Sequence, residues 1–102
     1  MKAYKNAHNN WEVETREPLD NNFTLRVVSS KRSSGELVTT AYACKEENGF
    51  MVFRMGKDFS SRVMATRPSR ITKGVVEKQH AEAYASIQEL INAANEYQAA
   101  VK

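Results

Sequence analysis

A nucleophile and its base could come from Cys44 together with His8 or His80. A reactive thiol has to be exposed in an electropositive setting before a histidine can activate it. The apolar alternation around Cys44 instead predicts a buried strand position, where a thiol packs as a small hydrophobic group. His80 is expected near the start of a C-terminal helix, about one position off its apolar stripe, at the boundary between the buried and exposed faces. The sequence therefore predicts that the protein is not an enzyme.

Metal-binding and acid–base residues do not form a recognisable site either. Structural zinc needs four ligands at short spacings, whereas the chain has one cysteine and two widely separated histidines. Glu12 and Glu14 share one face of a predicted strand, which is more typical of a solvated edge strand than of a catalytic carboxylate pair. We predict no metal site and no cofactor.

The distribution of charge gives the strongest functional signal. The formal net charge is +3, but residues 54–78 contain seven Lys or Arg against Asp58 and Glu77. Basic residues at short intervals can neutralise several phosphates of a nucleic acid. A solvated basic surface without a ligand is the alternative interpretation.

Hydrophobic periodicity predicts the elements that position these residues. Apolar and polar residues alternate over 11–16, 23–32, 37–45 and 50–55, the period of half-buried strands. Residues 59–67 alternate in the same way and could add a strand. From about residue 75 to 101 the period becomes 3.6, which indicates an amphipathic helix. The expected fold class is α+β, an antiparallel meander of four to five strands with one long C-terminal helix packed on one face.

Length and composition favour one domain. A chain of 102 residues with 41% apolar content can bury one core without disulfides. We expect a single domain over 1–102, with 1–10 as a flexible arm, 11–67 as the sheet and 75–101 as the helix. The lone cysteine and the absence of a secretory segment favour a cytoplasmic protein. No apolar run reaches the roughly 20 residues of a membrane span, so no membrane contact is expected.

Two turns set the predicted register of the sheet. Asn48-Gly49 is typical of a type I′ hairpin turn, and Ser34-Gly35 would form a second two-residue loop. The two loops together predict two rows of side chains on one apolar face: Leu25, Cys44 and Phe53, and then Val27, Tyr42 and Met55. A three-residue loop at 33–35 would place Arg26 beside Tyr42 and mix the two faces, so it is disfavoured.

This register predicts an open, basic sheet face that carries Arg26, Lys45 and Arg54, with Phe50 near its edge as a stacking side chain. The candidate contacts with nucleic acid or a protein partner are Arg26, Lys45, Phe50, Arg54, Arg62, Arg67, Arg70 and Lys73. The favoured function is a small non-enzymatic nucleic-acid-binding module. The alternative is an accessory protein, of the kind that phages and mobile elements encode, that binds and modulates or inhibits a host protein with an acidic surface. The edge strands would also allow two copies of the chain to form a homodimer.

Overall fold

A computed structural model describes residues 2–47, 50–52 and 59–100 of the chain. These residues form an antiparallel sheet with helical structure on one side, which confirms the predicted α+β fold and the long C-terminal helix. The strands are β1 (Tyr4–Lys5), β2 (Trp11–Pro18), β3 (Phe23–Lys31), β4 (Leu37–Glu47), β5 (Phe50–Val52) and β6 (Ser60–Thr66). β1 to β5 follow chain order across the sheet, and β6 pairs with β4 beyond the end of β5.

The helical part begins at Thr72, whose side-chain oxygen accepts a hydrogen bond from the backbone N–H of Val75 at 3.3 Å. This N-cap satisfies one of the unpaired donors of the first turn. α1 (Lys73–Ala83) and α2 (Ile87–Ala100) are joined by a 3-10 turn over Tyr84–Ser86. The predicted helix is therefore confirmed up to residue 100, with a tighter turn in its middle.

The core lies between the helices and every second side chain of the central strands. In β3 the buried positions alternate with half-buried ones, as a strand with one covered face requires. One apolar cluster joins Leu25, Val27 and Ala41 to Ala94 of α2, and the other joins Val13 and Leu37 to Val76 of α1: each half of the helical part covers its own section of the sheet.

The register between β3 and β4 differs from the prediction. Arg26 pairs with Tyr42, and Leu25 pairs with Ala43 rather than with Cys44. The connecting loop has three residues, closed by the hydrogen bond from Arg32 N–H to the Glu36 carbonyl at 2.8 Å. Its last residue, Gly35, has φ of 88°, the left-handed conformation that ends such a loop.

The predicted two-residue loop at 34–35 is therefore wrong, and so are the rows that depended on it. The faces do not mix, because the small residues Ala41 and Ala43 point to the helices while Tyr42 lies on the other side. Cys44 is buried, as predicted. Its pairing with Thr24, however, places its side chain on the face opposite to Leu25 and Val27.

The hairpin between β4 and β5 has the predicted register over its described part. Lys45 pairs with Val52, and Glu47 pairs with Phe50, as a two-residue turn between them requires. Asn48-Gly49 itself and residues 53–58 lie outside the described residues. The predicted positions of Phe53, Arg54 and Met55 lie there too.

Two further stretches complete the sheet. β6 confirms the predicted strand within 59–67, with a bulge: Thr39 pairs with Met64 and Thr40 with Arg62, so Val63 is an extra residue and packs against the core. Within the stretch expected to be a flexible arm, β1 pairs with the start of β2. The side-chain oxygen of Asn6 stabilises the intervening turn by accepting the Asn10 N–H at 3.1 Å.

Candidate functional site

The back face, defined as the side of the sheet that faces away from α1 and α2, is not the basic surface that the sequence predicts. Arg26 donates hydrogen bonds to the Glu14 carboxylate and to the Tyr42 hydroxyl, and its guanidinium lies 5.4 Å from the centre of the Tyr42 ring. Arg16 lies 3.1 Å from the same carboxylate. These contacts hold the pKa of Glu14 below its ordinary value, chiefly through the hydrogen bond from Arg26. Arg16 and Arg26 therefore share the Glu14 carboxylate as their counter-ion within the protein.

Four further members of the predicted site are Lys45, Phe50, Arg54 and Arg62. Lys45 pairs with Phe23, so it lies on the opposite side of the sheet from Arg26, and the predicted grouping of these two residues is wrong. Arg62 forms a 2.7 Å ion pair with Glu36. Arg54 lies outside the described residues, and Phe50 contributes its backbone to β5.

Exposed basic residues gather instead at the end of the sheet where β2 and β4 begin, β3 and β6 end, and α1 starts. We call this region the basic end and define it by its cations: Lys5, Lys31, Arg32, Arg67, Arg70 and Lys73. Arg67, Arg70 and Lys73 belong to the predicted set. The other three come from β1, the end of β3 and the loop that follows β3.

Trp11 is the centre of the basic end. The Lys5 ammonium lies 4.5 Å from the centre of its ring and the Lys73 ammonium lies 5.9 Å from it. The Lys5 ammonium also donates to the Asn9 carbonyl at 3.3 Å. Both ammonium groups are therefore within cation–π distance of one aromatic ring.

The basic end contains a cavity of about 410 Å³. Its described lining comes from three segments, the β1–β2 hairpin, the β3–β4 loop with the adjoining end of β3, and the linker before α1: Lys5, Asn9, Asn10, Trp11, Lys31, Gly35, Pro68, Ser69 and Ile71. No carboxylate is among these described lining residues. Ammonium, amide and hydroxyl groups surround an aromatic ring, a combination that suits an anion with an aromatic part.

Packing on the core and a hydrogen bond between two connecting segments hold the basic end in place. The Trp11 side chain packs on the apolar cluster of Val13, Leu37 and Val76, which joins β2, β4 and α1. Arg67 donates to the carbonyl of Ser34 at 3.3 Å and so links the start of the linker to the β3–β4 loop. The tryptophan is thereby fixed on the core, while the surrounding lysines stay exposed.

A second cavity of about 510 Å³ lies on the other side of Lys31. Its lining includes Arg32 and His8 but also the carboxylate of Glu12. Glu12 accepts hydrogen bonds from the Tyr4 hydroxyl and, at 3.1 Å, from the Asn6 amide. Because an acidic group forms part of this wall, the cavity beside Trp11 is the better anion site.

A separate group of polar side chains lies inside the protein, between α1 and the sheet. We call Thr15, Ser29, Thr39, Gln79 and His80 the polar layer. The two ring nitrogens of His80 lie 2.8 Å from the Thr15 hydroxyl and 2.7 Å from the Ser29 hydroxyl. Ser29 is 2.6 Å from the Thr39 hydroxyl, and Thr39 accepts a hydrogen bond from the Gln79 amide at 3.1 Å.

His80 is fully buried, which differs from the boundary position expected from sequence. Burial lowers its pKa to about 4, with a smaller contribution from the positive charge of the N-terminus. The imidazole is thus neutral near pH 7, and either tautomer is satisfied because both neighbouring hydroxyls can donate or accept. Ser29 and His80 resemble a nucleophile with its base, but both are inaccessible to a substrate.

Sequence reasoning missed Lys5 and Lys31 as site residues and did not include Trp11 among the predicted nucleic-acid contacts. They are isolated in the chain and make no charge run, and the three elements that carry them meet only in the folded sheet. The usable signal was weak. Trp11 opens one strand and Lys31 closes the next, so both lie at the same end of an antiparallel pair.

Comparisons with known protein families, with functionally characterised proteins and with solved structures found no match. Within the described residues, no three His, Cys, Asp or Glu side chains lie close enough to hold a metal ion. None of the described helices has the length and apolar character needed to cross a membrane. The function therefore has to be argued from the basic end itself.

Proposed function

We propose that the protein is a small nucleic-acid-binding module that contacts phosphates through the basic end. The observation that supports this proposal is the gathering of three lysines at Trp11. Lys5 and Lys31 line the cavity beside the ring, which has no described carboxylate in its lining, and the ammonium groups of Lys5 and Lys73 lie near the ring itself. Like charges brought together repel one another, so an arrangement of this kind favours an external anion. Arg67 and Arg70 extend the same surface.

The proposal changes which residues of the original candidate set are involved. Arg67, Arg70 and Lys73 remain, whereas Arg26 and Arg62 already have carboxylate partners within the protein. Trp11 takes the stacking role first expected of Phe50. The binding energy would come mainly from release of counterions from the phosphates, which makes affinity fall steeply with salt.

Fluorescence anisotropy with labelled oligonucleotides over a range of salt concentrations tests the proposal. A variant with Lys5→Gln, Lys31→Gln and Lys73→Gln should reduce the slope of log affinity against log salt by roughly 2 to 3, because each lost phosphate contact removes about 0.9 from it. The control variant, with Arg16→Gln, Arg62→Gln and Lys78→Gln, loses the same charge elsewhere and should keep the slope. The proposal fails if the wild type binds no nucleic acid at about 50 mM salt, where phosphate contacts are strongest.

The second candidate is an accessory protein of the phage or mobile-element kind that modulates or inhibits a host protein with an acidic surface. Trp11 favours it, because tryptophan is enriched among the residues that dominate protein interfaces. A single stoichiometric partner that remains bound after nuclease treatment, and is lost in the triple lysine variant, would support this candidate over the first. Sedimentation of the purified chain would show whether two copies associate, and fractionation of its natural host cell would test the cytoplasmic location.

A further inference from the structure

The shape of the site beside Trp11 narrows the class of nucleic acid. Three segments wall the cavity, namely the β1–β2 hairpin, the β3–β4 loop with the end of β3, and the linker before α1. A volume of about 410 Å³ falls within the range of sites that enclose one small ligand. A duplex presents a convex row of phosphates and keeps its bases stacked inside, so it cannot place a base in such a cavity without flipping it out. An unpaired nucleotide can enter directly.

The tryptophan has the properties of a stacking platform. It is carried by a strand and packs on Val13, Leu37 and Val76, so the position of the ring is set by the core. The Lys5 ammonium over its ring is exposed, and such an exposed cation–π contact contributes about 0.5 to 1 kcal/mol. Stacking of a base on an aromatic side chain contributes about 1 to 3 kcal/mol. A base can therefore replace the lysine over the ring, and the ammonium group remains free to meet the phosphate.

The remaining lining suits both parts of a nucleotide. Asn9 and Asn10 bring amide groups that can donate to and accept from the edge of a base. Lys31 and the displaced Lys5 supply positive charge for the attached phosphate, and Ser69 adds a hydroxyl donor. Pro68 and Ile71 give the cavity an apolar wall.

We infer that the cavity at the basic end binds an unpaired nucleotide of single-stranded nucleic acid, with its base stacked on Trp11 and its phosphate between Lys5 and Lys31. This inference rests on the proposed nucleic-acid-binding function and adds a preference for single strands. The basic residues outside the cavity, Arg67 and Arg70, would follow the neighbouring phosphates.

Tryptophan fluorescence provides the test, because Trp11 is the single tryptophan of the chain. The wild-type protein is titrated with a single-stranded oligonucleotide and with a duplex of the same length, while anisotropy of the labelled DNA is recorded in parallel. We expect the single strand to bind more tightly and to quench the fluorescence over the same concentration range. The duplex should bind more weakly, with little quenching.

Two variants separate stacking from charge. Trp11→Leu should weaken binding of the single strand by roughly tenfold, the equivalent of about 1.4 kcal/mol, and leave duplex binding unchanged. Trp11→Phe keeps an aromatic ring and should restore most of the difference. Thermal unfolding shows whether each variant is folded, and the quenching experiment on the wild type needs no substitution.

The outcomes distinguish the inference from the proposed function. Equal affinity for both forms of DNA, or binding without a change in fluorescence, would overturn the inference and leave the nucleic-acid-binding function in place. Tighter binding of the duplex would do the same. Absence of any binding at low salt would overturn both.

Discussion

The polar layer and the basic end both gather polar side chains from distant parts of the chain, but they differ in where those side chains find partners. In the polar layer His80 lies between the Thr15 and Ser29 hydroxyls, and Gln79 donates both to Thr39 and to the Leu37 carbonyl at 3.0 Å. At the basic end, the ammonium groups of Lys5 and Lys73 lie near the Trp11 ring. Lys5 and Lys31 line the cavity beside it, which has no described carboxylate in its lining. A cluster with internal partners stabilises the fold, whereas a cluster of like charges indicates an external ligand.

Burial accounts for the difference. A polar group without water costs about 1 to 3 kcal/mol unless it is hydrogen-bonded, so a buried cluster survives only when its members satisfy one another. An exposed cluster keeps its hydration and is under no such constraint. An exposed charged cluster therefore contributes little to the free energy of unfolding, and its residues can be those that a ligand requires. Four predictions test this contrast, beginning with the largest expected effect.

His80→Ala should destabilise the protein by about 3 to 5 kcal/mol, because it opens a cavity beneath α1 and removes one hydrogen-bond partner each from the buried Ser29 hydroxyl and the half-buried Thr15 hydroxyl. Urea unfolding at neutral pH measures the change in the free energy of unfolding. Lys73→Ala provides the control in the same helix: its side chain is exposed, and we expect a change within about 0.5 kcal/mol. Similar losses for both variants would remove the distinction between the two regions.

Acid should weaken the fold through the same histidine. Its pKa is lowered from 6.5 to about 4 in the folded protein, so between these values the unfolded chain binds the additional proton. Stability is complete above pH 6.5 and falls as the pH approaches 4, by about 3 kcal/mol at most. Unfolding experiments above about pH 5.5, roughly one unit above the ordinary pKa of 4.5 for the Glu14 carboxyl, keep most carboxyl groups ionised in the unfolded chain and therefore report mainly on His80.

The pH experiment has a matched control in the other histidine. His8 is exposed, so His8→Gln should keep the pH dependence of stability that the wild type shows above about pH 5.5. His80→Asn should flatten it. An unchanged slope in His80→Asn would show that His80 is not the group that takes up the proton.

Binding should respond to lysines of the basic end and not to arginines of the back face. Lys31→Gln should weaken oligonucleotide binding by roughly tenfold at about 50 mM salt and lower the salt slope by about 1. Arg26→Gln removes the same charge but breaks a contact with Glu14, so it should lower stability and keep the salt slope. An equal loss of slope in the two variants would mean that the back face also contacts the nucleic acid.

The smallest effect is expected at Thr72, where the two regions meet. Thr72→Ala removes the cap of α1 and should destabilise the protein by about 1 kcal/mol, whereas Thr72→Ser should keep most of the stability because serine caps equally well. Thermal unfolding measures both. Oligonucleotide affinity of the folded Thr72→Ala protein should match the wild type, since the capping oxygen bonds the Val75 N–H rather than the cavity. A marked loss of affinity would mean that the Thr72 side chain itself takes part in binding.

Several parts of the fold could be predicted because they depend on neighbours along the chain. Alternation placed the strands, including Ser60–Thr66, and the 3.6 period placed the helical part. The Asn48-Gly49 signal gave the β4–β5 register over its described pairs. The start of α1 also depends on neighbours along the chain, because the Thr72 side chain caps the first turn.

The register error shows where local patterns fail. Ser33-Ser34-Gly35 is compatible with a loop of two or three residues, and the segment TTAYAC offers apolar residues on either face of the strand. A shift of one residue in the pairing of β3 with β4 exchanges the two faces of a strand. Tyr42 therefore lies on the same face as Arg26 and not in the core, where the sequence predicted it. The predicted shared face of Arg26 and Lys45 is wrong for the same reason. The basic segment was partly useful, because Arg67, Arg70 and Lys73 do lie at the basic end.

The sequence by itself determined the elements and their order, because periodicity, turn residues and caps act over a few positions of the chain. Only the tertiary structure decided which charges are paired and which polar groups are buried. Arg26 has its partner across a strand, His80 has its partners 51 and 65 residues away, and Lys5, Lys31 and Lys73 meet around Trp11 only after the sheet and helix have packed. Electrostatic and hydrogen-bond partners depend on distance in space, and that distance is set by register and packing.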